Sequence, residues 1–173
     1  NQIEKIECHK GFDSIINNKE IDAIYIPLSN DEHTETATKA INNKKHVLIE
    51  KPMAIKSKDV KLLINAAKNN NVKIMEGFMY VFHPQFDRIQ NIINSGILGE
   101  VNYAHSMFSF PIQAPRFYRI NRSITNGGGA LWDIGPYAIH TIRNCFNENP
   151  IKVYAQSKLN EHGADISTTG MID

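Results

Sequence analysis

The chain has 173 residues, of which 42% are hydrophobic and 21% charged, and its formal net charge is +1. These values are ordinary for a globular protein, and so small a charge predicts no nucleic-acid or membrane-surface partner. The sequence contains no apolar run long enough to span a bilayer and no signal-peptide pattern. Cys8 and Cys145 lack metal-binding spacing, so we expect reduced thiols in a cytoplasmic protein.

The first half of the sequence alternates predicted strands and helices. Apolar runs predict strands at 23–28, 47–49 and 72–75, and capping and periodicity predict helices at 12–18, 34–43 and 57–69. The continuous apolar character of residues 23–28 is typical of a parallel strand that is buried on both faces. The β-α-β-α-β order therefore predicts a parallel α/β sheet.

The pattern changes at about Tyr80. A helix is predicted at 84–95, a partly alternating strand at 101–110, one helix at 130–146, and two further strands at 151–158 and 166–172. This second part predicts an α+β domain with a mainly antiparallel, open sheet. The chain begins without Met in a predicted loop and ends in a predicted strand, so we expect that both ends are cut from a longer protein and that both domains are truncated.

Polar residues follow the first two predicted strands at the point where each strand ends: Ser29, Asn30 and His33 after the first, Glu50 and Lys51 after the second. The carboxyl ends of parallel strands form the edge of a sheet where ligands bind. We therefore expect these residues to collect at one edge, although His33 could instead face solvent from its helix.

Lys51 has two interpretations. It could be a strand-end charge that reaches water, or a cation held in place because Pro52 restricts the backbone that precedes it. A held lysine can hydrogen-bond a substrate oxygen, and it lowers the pKa of a nearby phenol by Coulomb attraction.

Three glycines, residues 127–129, precede Asp133 and Tyr137. Four residues apart on the one predicted helix, this acid and this phenol should face the same way. Asp133 could simply complement the helix dipole and Tyr137 could be packing. The glycines, however, permit a close backbone approach and predict a place that receives a polar ligand. With Lys51, the acid and the phenol are the residue types of a hydride-transfer enzyme that acts on an alcohol.

The sequence contains no motif for a metal site or for a serine nucleophile. The seven histidines show no metal-binding spacing, and no serine lies in a nucleophile-elbow pattern. The sequence also lacks the glycine-rich first turn of a dinucleotide-binding unit, which would then lie upstream of Asn1.

Five segments in the same order resemble motifs of the glucose–fructose oxidoreductase/inositol dehydrogenase (Gfo/Idh/MocA) family. They are residues 25–33 (YIPLSNDEH), 46–52 (HVLIEKP), 76–80 (EGFMY), 96–101 (GILGEV) and 127–137 (GGGALWDIGPY). The resemblance is closest to the branch of D-xylose 1-dehydrogenase and dimeric dihydrodiol dehydrogenase, in which the last motif ends in Tyr rather than His.

The resemblance implies that residues 1–79 are the second half of a Rossmann domain that binds NAD or NADP. It implies that residues 80–173 begin a C-terminal domain for substrate binding and oligomerisation. The full-length protein is then expected to be a homo-oligomer, a dimer or a tetramer, that acts on a sugar or polyol.

The resemblance also implies roles for individual residues. Lys51 and Tyr137 would be the catalytic pair, Asp133 would help to hold the sugar, and the Lys51–Pro52 peptide would be cis. The positions that line the cofactor are Pro27, Ser29, Asn30, His33, Glu50 and Lys51. The candidate substrate residues are Phe78, Tyr80, Arg119 and Trp132, and no metal is expected.

Two functional hypotheses follow. The first is an NAD(P)-dependent oxidoreductase that transfers hydride to or from a sugar hydroxyl, with Tyr137 and Lys51 in acid–base roles. The alternative is a non-catalytic relative that senses a nicotinamide or a sugar; the presence of Lys51, Asp133 and Tyr137 argues against it. Without a phosphate-binding turn, residues 1–173 alone are expected to bind dinucleotide weakly or not at all, and to be inactive.

Overall fold

The computed structural model describes residues 6–173, which fall into two compact units that meet in sequence between Gly77 and Phe78. Within this described part of the chain, no helix is both long and apolar enough to cross a membrane.

The first unit is a parallel three-stranded sheet with helices, as the strand–helix alternation predicts. The strands lie in the order β1-β2-β3, and both neighbouring pairs are parallel. The elements are α1 (Phe12–Ile16), β1 (Ala23–Ile26), α2 (His33–Asn42), β2 (His46–Glu50), α3 (Ser57–Asn70) and β3 (Ile74–Gly77).

The core of this unit consists of aliphatic side chains from one face of the sheet and from the helices. Ile26 and Ile49 of the strands, Ile41 of α2 and Leu63 of α3 are completely buried. The strands bury alternate residues, so Tyr25 remains 52% exposed between two buried isoleucines. The expectation that β1 is buried on both faces is therefore wrong for this chain, because the helical residues of the core pack on one side of the strands only.

Among the strand boundaries that differ from the predicted ones, two have clear local reasons. β1 ends at Ile26, two residues early, where Pro27 lacks the N–H group that would continue a ladder. β3 begins at Ile74, two residues late, because the end of α3 takes up the preceding residues. There Asn71 adopts a left-handed conformation, and the N–H of Val72 donates to the carbonyl of Ala67 at 3.0 Å.

The second unit contains short helices and an antiparallel pair of strands, β4 (Val153–Leu159) and β5 (Asp165–Ile172). This pair confirms the predicted antiparallel sheet. The helices are α4 (Pro84–Asn94), α5 (Ala130–Asp133) and α6 (Gly135–Phe146), with 3₁₀ turns at Met79–Phe82, Ala114–Arg119 and Ile124–Asn126.

The strand predicted at 101–110 is absent, and this prediction is wrong for the structure. The segment has no regular secondary structure, and the sheet of the second unit contains β4 and β5 only. Alternating side chains favour an extended backbone, but a strand also needs a neighbouring strand to accept and donate its hydrogen bonds. No described strand supplies that ladder here.

The single helix predicted at 130–146 is divided into α5 and α6. The break lies at Ile134, whose φ of −122° is not helical, and Pro136 follows without an N–H group for the helical ladder. Gly135 fits this junction because a Cβ there would lie 2.9 Å from the side chain of Leu131. Asp133 therefore ends one helix and Tyr137 lies in the first turn of the next, which corrects the prediction that both share one helix face.

Candidate active site

The carboxyl edge of the parallel sheet gathers the polar residues that follow β1 and β2. The strands are in register with Ile26 opposite Ile49, and Glu50 opposite Gly77 of β3. Ser29 and Asn30 lie on the chain that leaves β1, and Lys51 lies directly after β2. The predicted common edge is thus the one from which all these residues emerge, and the Lys51–Pro52 peptide is cis, as the resemblance implied.

His33 lies at the first position of α2 and is completely buried. Its Nδ1 is 2.8 Å from the carbonyl oxygen of Pro52, and its Nε2 is 3.1 Å from that of Leu28. The ring therefore joins the loop after β1 to the loop that carries Lys51. Both partners are acceptors, so both bonds form together only when both ring nitrogens carry a hydrogen.

Glu50 is the centre of a second polar contact at this edge. Its carboxylate accepts a 2.6 Å hydrogen bond from the Tyr25 hydroxyl and a longer one, 3.3 Å, from the backbone N–H of Lys51. The hydrogen bond to Glu50 raises the pKa of Tyr25 above that of a free phenol. Glu76 of β3 fixes the same loop from the other side, because it accepts from the N–H of Met53 at 2.6 Å.

The other predicted cofactor positions lie on the loop between β1 and α2. The Ser29 hydroxyl donates to the carboxylate of Glu32, and the Ser29 carbonyl accepts from the Glu32 N–H at 2.9 Å. Pro27 is exposed, and Asn30 is partly buried. Hydroxyl, amide and ammonium groups at one sheet edge are a donor and acceptor set that fits a carboxamide and ribose hydroxyls.

In the second unit, residues 127–129 do not form a ligand cradle. All three glycines are buried. A Cβ at Gly128 would lie 2.0 Å from the carbonyl oxygen of Arg122, and one at Gly129 would lie 1.9 Å from Oδ1 of Asp165. Gly128 and Gly129 therefore permit close packing of the protein against itself, which corrects the prediction that they receive a polar ligand.

Asp133, at the end of α5, forms an ion pair with Arg119, and the carboxylate is largely buried. Arg119 also donates from Nε to the Tyr118 hydroxyl at 3.1 Å. Burial by itself lowers the pKa of Arg119. The hydrogen bond to Tyr118 and the negative charge of Asp133 raise it by more, so the net pKa is raised and the guanidinium stays charged. The guanidinium carries five N–H groups, so it can donate to more partners than Tyr118 and Asp133.

Aromatic rings surround Tyr137 in the first turn of α6. The rings of Phe78, Tyr80 and Phe108 lie 5.0, 5.7 and 5.4 Å from it, centre to centre. The structure thus brings together three of the predicted site residues, Phe78, Tyr80 and Tyr137. The wall they form is apolar and suits the carbon face of a small cyclic substrate.

The hydroxyl of Tyr80 contacts two side chains of α6. Its hydroxyl contacts Nδ1 of His140 and lies 3.4 Å from Oγ1 of Thr141. Partial burial raises the pKa of Tyr80, which keeps this phenol neutral. Trp132 is anchored differently, since its indole N–H donates to the carbonyl of Ile124 at 2.7 Å.

Sequence reasoning assigned no role to several residues that shape these regions. They are Tyr25, Glu76, Phe108, His140 and Asp165. Tyr25 and Glu76 each begin one of the motifs on which the family resemblance rests. Phe108 lay in the segment predicted as a strand, whereas Asp165, which contacts residues more than thirty positions earlier in the chain, carried no local signal.

No cluster of three His, Cys, Asp or Glu residues that could hold a metal ion occurs within residues 6–173.

The groups at the sheet edge fit the nicotinamide half of a dinucleotide. The loop from β1 to α2, with the sequence Pro27-Leu28-Ser29-Asn30-Asp31-Glu32, contains no glycine for a pyrophosphate-binding turn.

Comparison with known proteins identifies the class of protein that these features define. Residues 2–78 match the family described as "Oxidoreductase family, NAD-binding Rossmann fold", and residues 86–173 match the "GFO/IDH/MocA C-terminal domain". The chain belongs to the Gfo/Idh/MocA oxidoreductase family.

Two relatives of this chain are named as dehydrogenases. The chain is 33% identical over 168 residues to trans-1,2-dihydrobenzene-1,2-diol dehydrogenase of Xenopus laevis, which covers 95% of this chain and 49% of that protein. It is 30% identical over 168 residues to D-xylose 1-dehydrogenase (NADP(+)) 2 of Haloferax volcanii, covering 96% of this chain and 50% of that one.

A solved structure of similar fold is aldose-aldose oxidoreductase from Caulobacter crescentus, crystallised with glycerol. Its TM-score is 0.82 at 29% identity, over 93% of this chain and 49% of that chain. The chain therefore spans about half the length of the relatives it matches.

Proposed function

We propose that the protein to which this chain belongs transfers hydride between NAD or NADP and a hydroxyl-bearing carbon of a sugar or sugar-like alcohol, in the manner of D-xylose 1-dehydrogenase. The proposal depends on one observation. This chain, a member of an oxidoreductase family, has Lys51 directly after the parallel strand β2 and Tyr137 in the first turn of α6. The relatives named above act on a diol or on D-xylose, which supports this substrate class.

In the proposed reaction, Tyr137 takes the proton from the substrate hydroxyl during oxidation and returns it during reduction. A free phenol has a pKa of about 10, so it is a weak base near neutral pH. A lysine cation beside a phenol favours the phenolate and lowers the pKa of the phenol by Coulomb attraction, and this is the role that we propose for Lys51 in the full-length protein. The nicotinamide ring supplies the hydride acceptor or donor when it is bound.

Asp133 and Arg119 have positioning and binding roles in this proposal. Their ion pair fixes the direction of the carboxylate, which then accepts a hydrogen bond from a neighbouring substrate hydroxyl. Phe78 and Tyr80 supply the apolar surface beside Tyr137. At the sheet edge of the first unit, Pro27, Ser29, Asn30 and Glu50 are proposed to line the nicotinamide side of the cofactor, while His33 acts on the loops that carry them.

The test is an assay of the full-length protein by absorbance at 340 nm, with NAD and NADP against aldoses, inositols and dihydrodiols, and in reverse with ketoses and keto nucleotide sugars. Tyr137→Phe should lower kcat by about 10²–10⁴-fold, the usual contribution of a general acid–base group. Cofactor affinity should change by less than about twofold, because the phenol hydroxyl is assigned to the substrate.

Tyr154→Phe on the exposed strand β4 is the matched control and should turn over like the wild type. Equal turnover in Tyr137→Phe and wild type would exclude the assigned role of Tyr137. Measurable cofactor binding with no turnover in either direction would instead support a sensor.

A further inference from the structure

The buried carboxylate of Asp165, the first residue of β5, has no role in the reaction proposed above. Asp165 is fully inaccessible to solvent. Its Oδ2 accepts from the backbone N–H of Leu131 at 2.8 Å and from the hydroxyl of Thr168 at 2.7 Å. Its Oδ1 is buried without a hydrogen-bond partner among the described residues. A buried carboxylate with one unpaired oxygen is an unfavourable choice for stability alone.

The unpaired oxygen occupies the space beside Gly129 where a side chain would otherwise be. A Cβ at Gly129 would lie 1.9 Å from Oδ1 and 2.9 Å from the backbone nitrogen of Asp165. Gly129 also has a φ of +103°, which other residues rarely adopt. The carboxylate therefore contacts the start of α5 twice, by packing at Gly129 and by a hydrogen bond at Leu131.

Gly129 is in turn bonded to both members of the Arg119–Asp133 ion pair. Its N–H donates to the carbonyl of Arg119 at 2.8 Å, and its carbonyl accepts from the N–H of Asp133 at 3.1 Å. A shift of Gly129 would therefore move both backbones that carry the charged side chains. The pair is sensitive to such a shift, because hydrogen bonds weaken steeply with poor geometry.

We propose that Asp165 is a positioning residue for the substrate-binding pair: its carboxylate holds the start of α5 and so fixes where Asp133 and Arg119 lie. This inference rests on the proposed function for the role of that pair in binding a sugar hydroxyl. It assigns to Asp165 no contact with substrate or cofactor, so its replacement should alter substrate recognition and leave cofactor binding intact.

Asp165→Asn in the full-length protein is the first variant. The amide has the shape of the carboxylate, but it lacks the charge and can present only one acceptor oxygen, so it holds Leu131 and Gly129 less well. The KM for the sugar should rise by tenfold or more, with kcat within about threefold and the Kd within twofold for whichever of NADH and NADPH the wild type binds. A purely structural role would instead weaken sugar and cofactor binding together.

Two further variants keep the test decisive if Asp165→Asn fails to fold. Thr168→Val removes one of the two hydrogen bonds to Oδ2 and should raise the KM by about two- to fivefold. Ser157→Ala removes a hydroxyl that bonds Thr168 at 2.8 Å but does not touch Asp165, and it should leave the KM within twofold. A KM for Thr168→Val equal to that of Ser157→Ala would overturn the proposal.

A readout independent of turnover separates this inference from the proposed function. Trp132 lies on α5, so in protein labelled with 5-fluorotryptophan its ¹⁹F resonance, identified by its loss in Trp132→Phe, reports the position of that helix. Asp165→Asn should shift this resonance and Ser157→Ala should not. An unmoved resonance, or a wild-type KM in Asp165→Asn, would overturn the proposal. If the wild type turns over no sugar, the proposed function fails, and the resonance alone decides whether Asp165 positions α5.

Discussion

The two units place their candidate site residues by different means. In the first unit a core of completely buried aliphatic side chains holds a parallel sheet, and the polar residues emerge where its strands end. In the second unit, Ala164 is the one buried apolar residue among those described. There, ring contacts around Tyr137 and individual hydrogen bonds hold the segments in place, such as the hydrogen bonds from Trp132 to Ile124 and from Asn160 to Ile120, each 2.7 Å.

This difference matters because burial is non-directional whereas a hydrogen bond depends on distance and angle. The edge of the first unit should tolerate changes to single polar groups, provided that the core is intact. The region around Asp133 and Arg119 should instead respond to single polar substitutions. Three predictions test the comparison, from the largest expected effect to the smallest.

Truncation of the core should destabilise the first unit far more than a matched change in the second. Ile49 is completely buried in β2, and Ile49→Ala should cost about 2–5 kcal/mol in unfolding free energy. Ile139 on α6 is 38% exposed, and Ile139→Ala should cost less than about 2 kcal/mol. Urea denaturation of both variants measures the difference. Equal losses would contradict the assignment of the core to the first unit.

His33 is the exception in the first unit, because its buried side chain joins the loop after β1 to the loop that carries Lys51. His33→Phe would leave the carbonyls of Leu28 and Pro52 without their ring partner, at a cost of about 1–3 kcal/mol for an unsatisfied buried group. Because Lys51 precedes Pro52, cofactor-dependent turnover should also fall. His105→Phe, at an exposed histidine of the second unit, is the control and should be nearly neutral. A His33→Phe variant as stable and active as this control would show that the ring does not hold the loop.

Tyr25 gives the smallest expected effect because it is exposed. Glu50 raises the pKa of Tyr25 above 10.0, so the folded protein binds this proton more tightly than the unfolded chain does. The stabilising contribution is therefore complete below about pH 10 and is lost as the pH rises through the folded-state pKa. Denaturation midpoints of wild type and Tyr25→Phe should differ at pH 8 and converge at higher pH. A difference that is constant up to pH 11.5 would contradict this linkage.

Much of the first unit was predictable from local patterns. Apolar runs bounded by turn residues located β1 and β2, and the polar residues after them located the edge that carries Lys51. The second unit was harder, because residues 101–110 have the pattern of a strand but no neighbouring strand. The same limit applied to the helix predicted across Ile134, where Pro136 interrupts a sequence that is otherwise helical.

The sequence by itself determined the order of strands and helices in the first unit, the family, and the position of Lys51 directly after a strand. These depend on residue periodicity and on motifs that are short in sequence. Only the tertiary structure decided that His33 is buried between two loops, that Arg119 pairs with Asp133, and that Asp165 fills the space beside Gly129. Each of these contacts joins residues that are distant in sequence, and their partners are chosen by packing and hydrogen-bond geometry rather than by any local pattern.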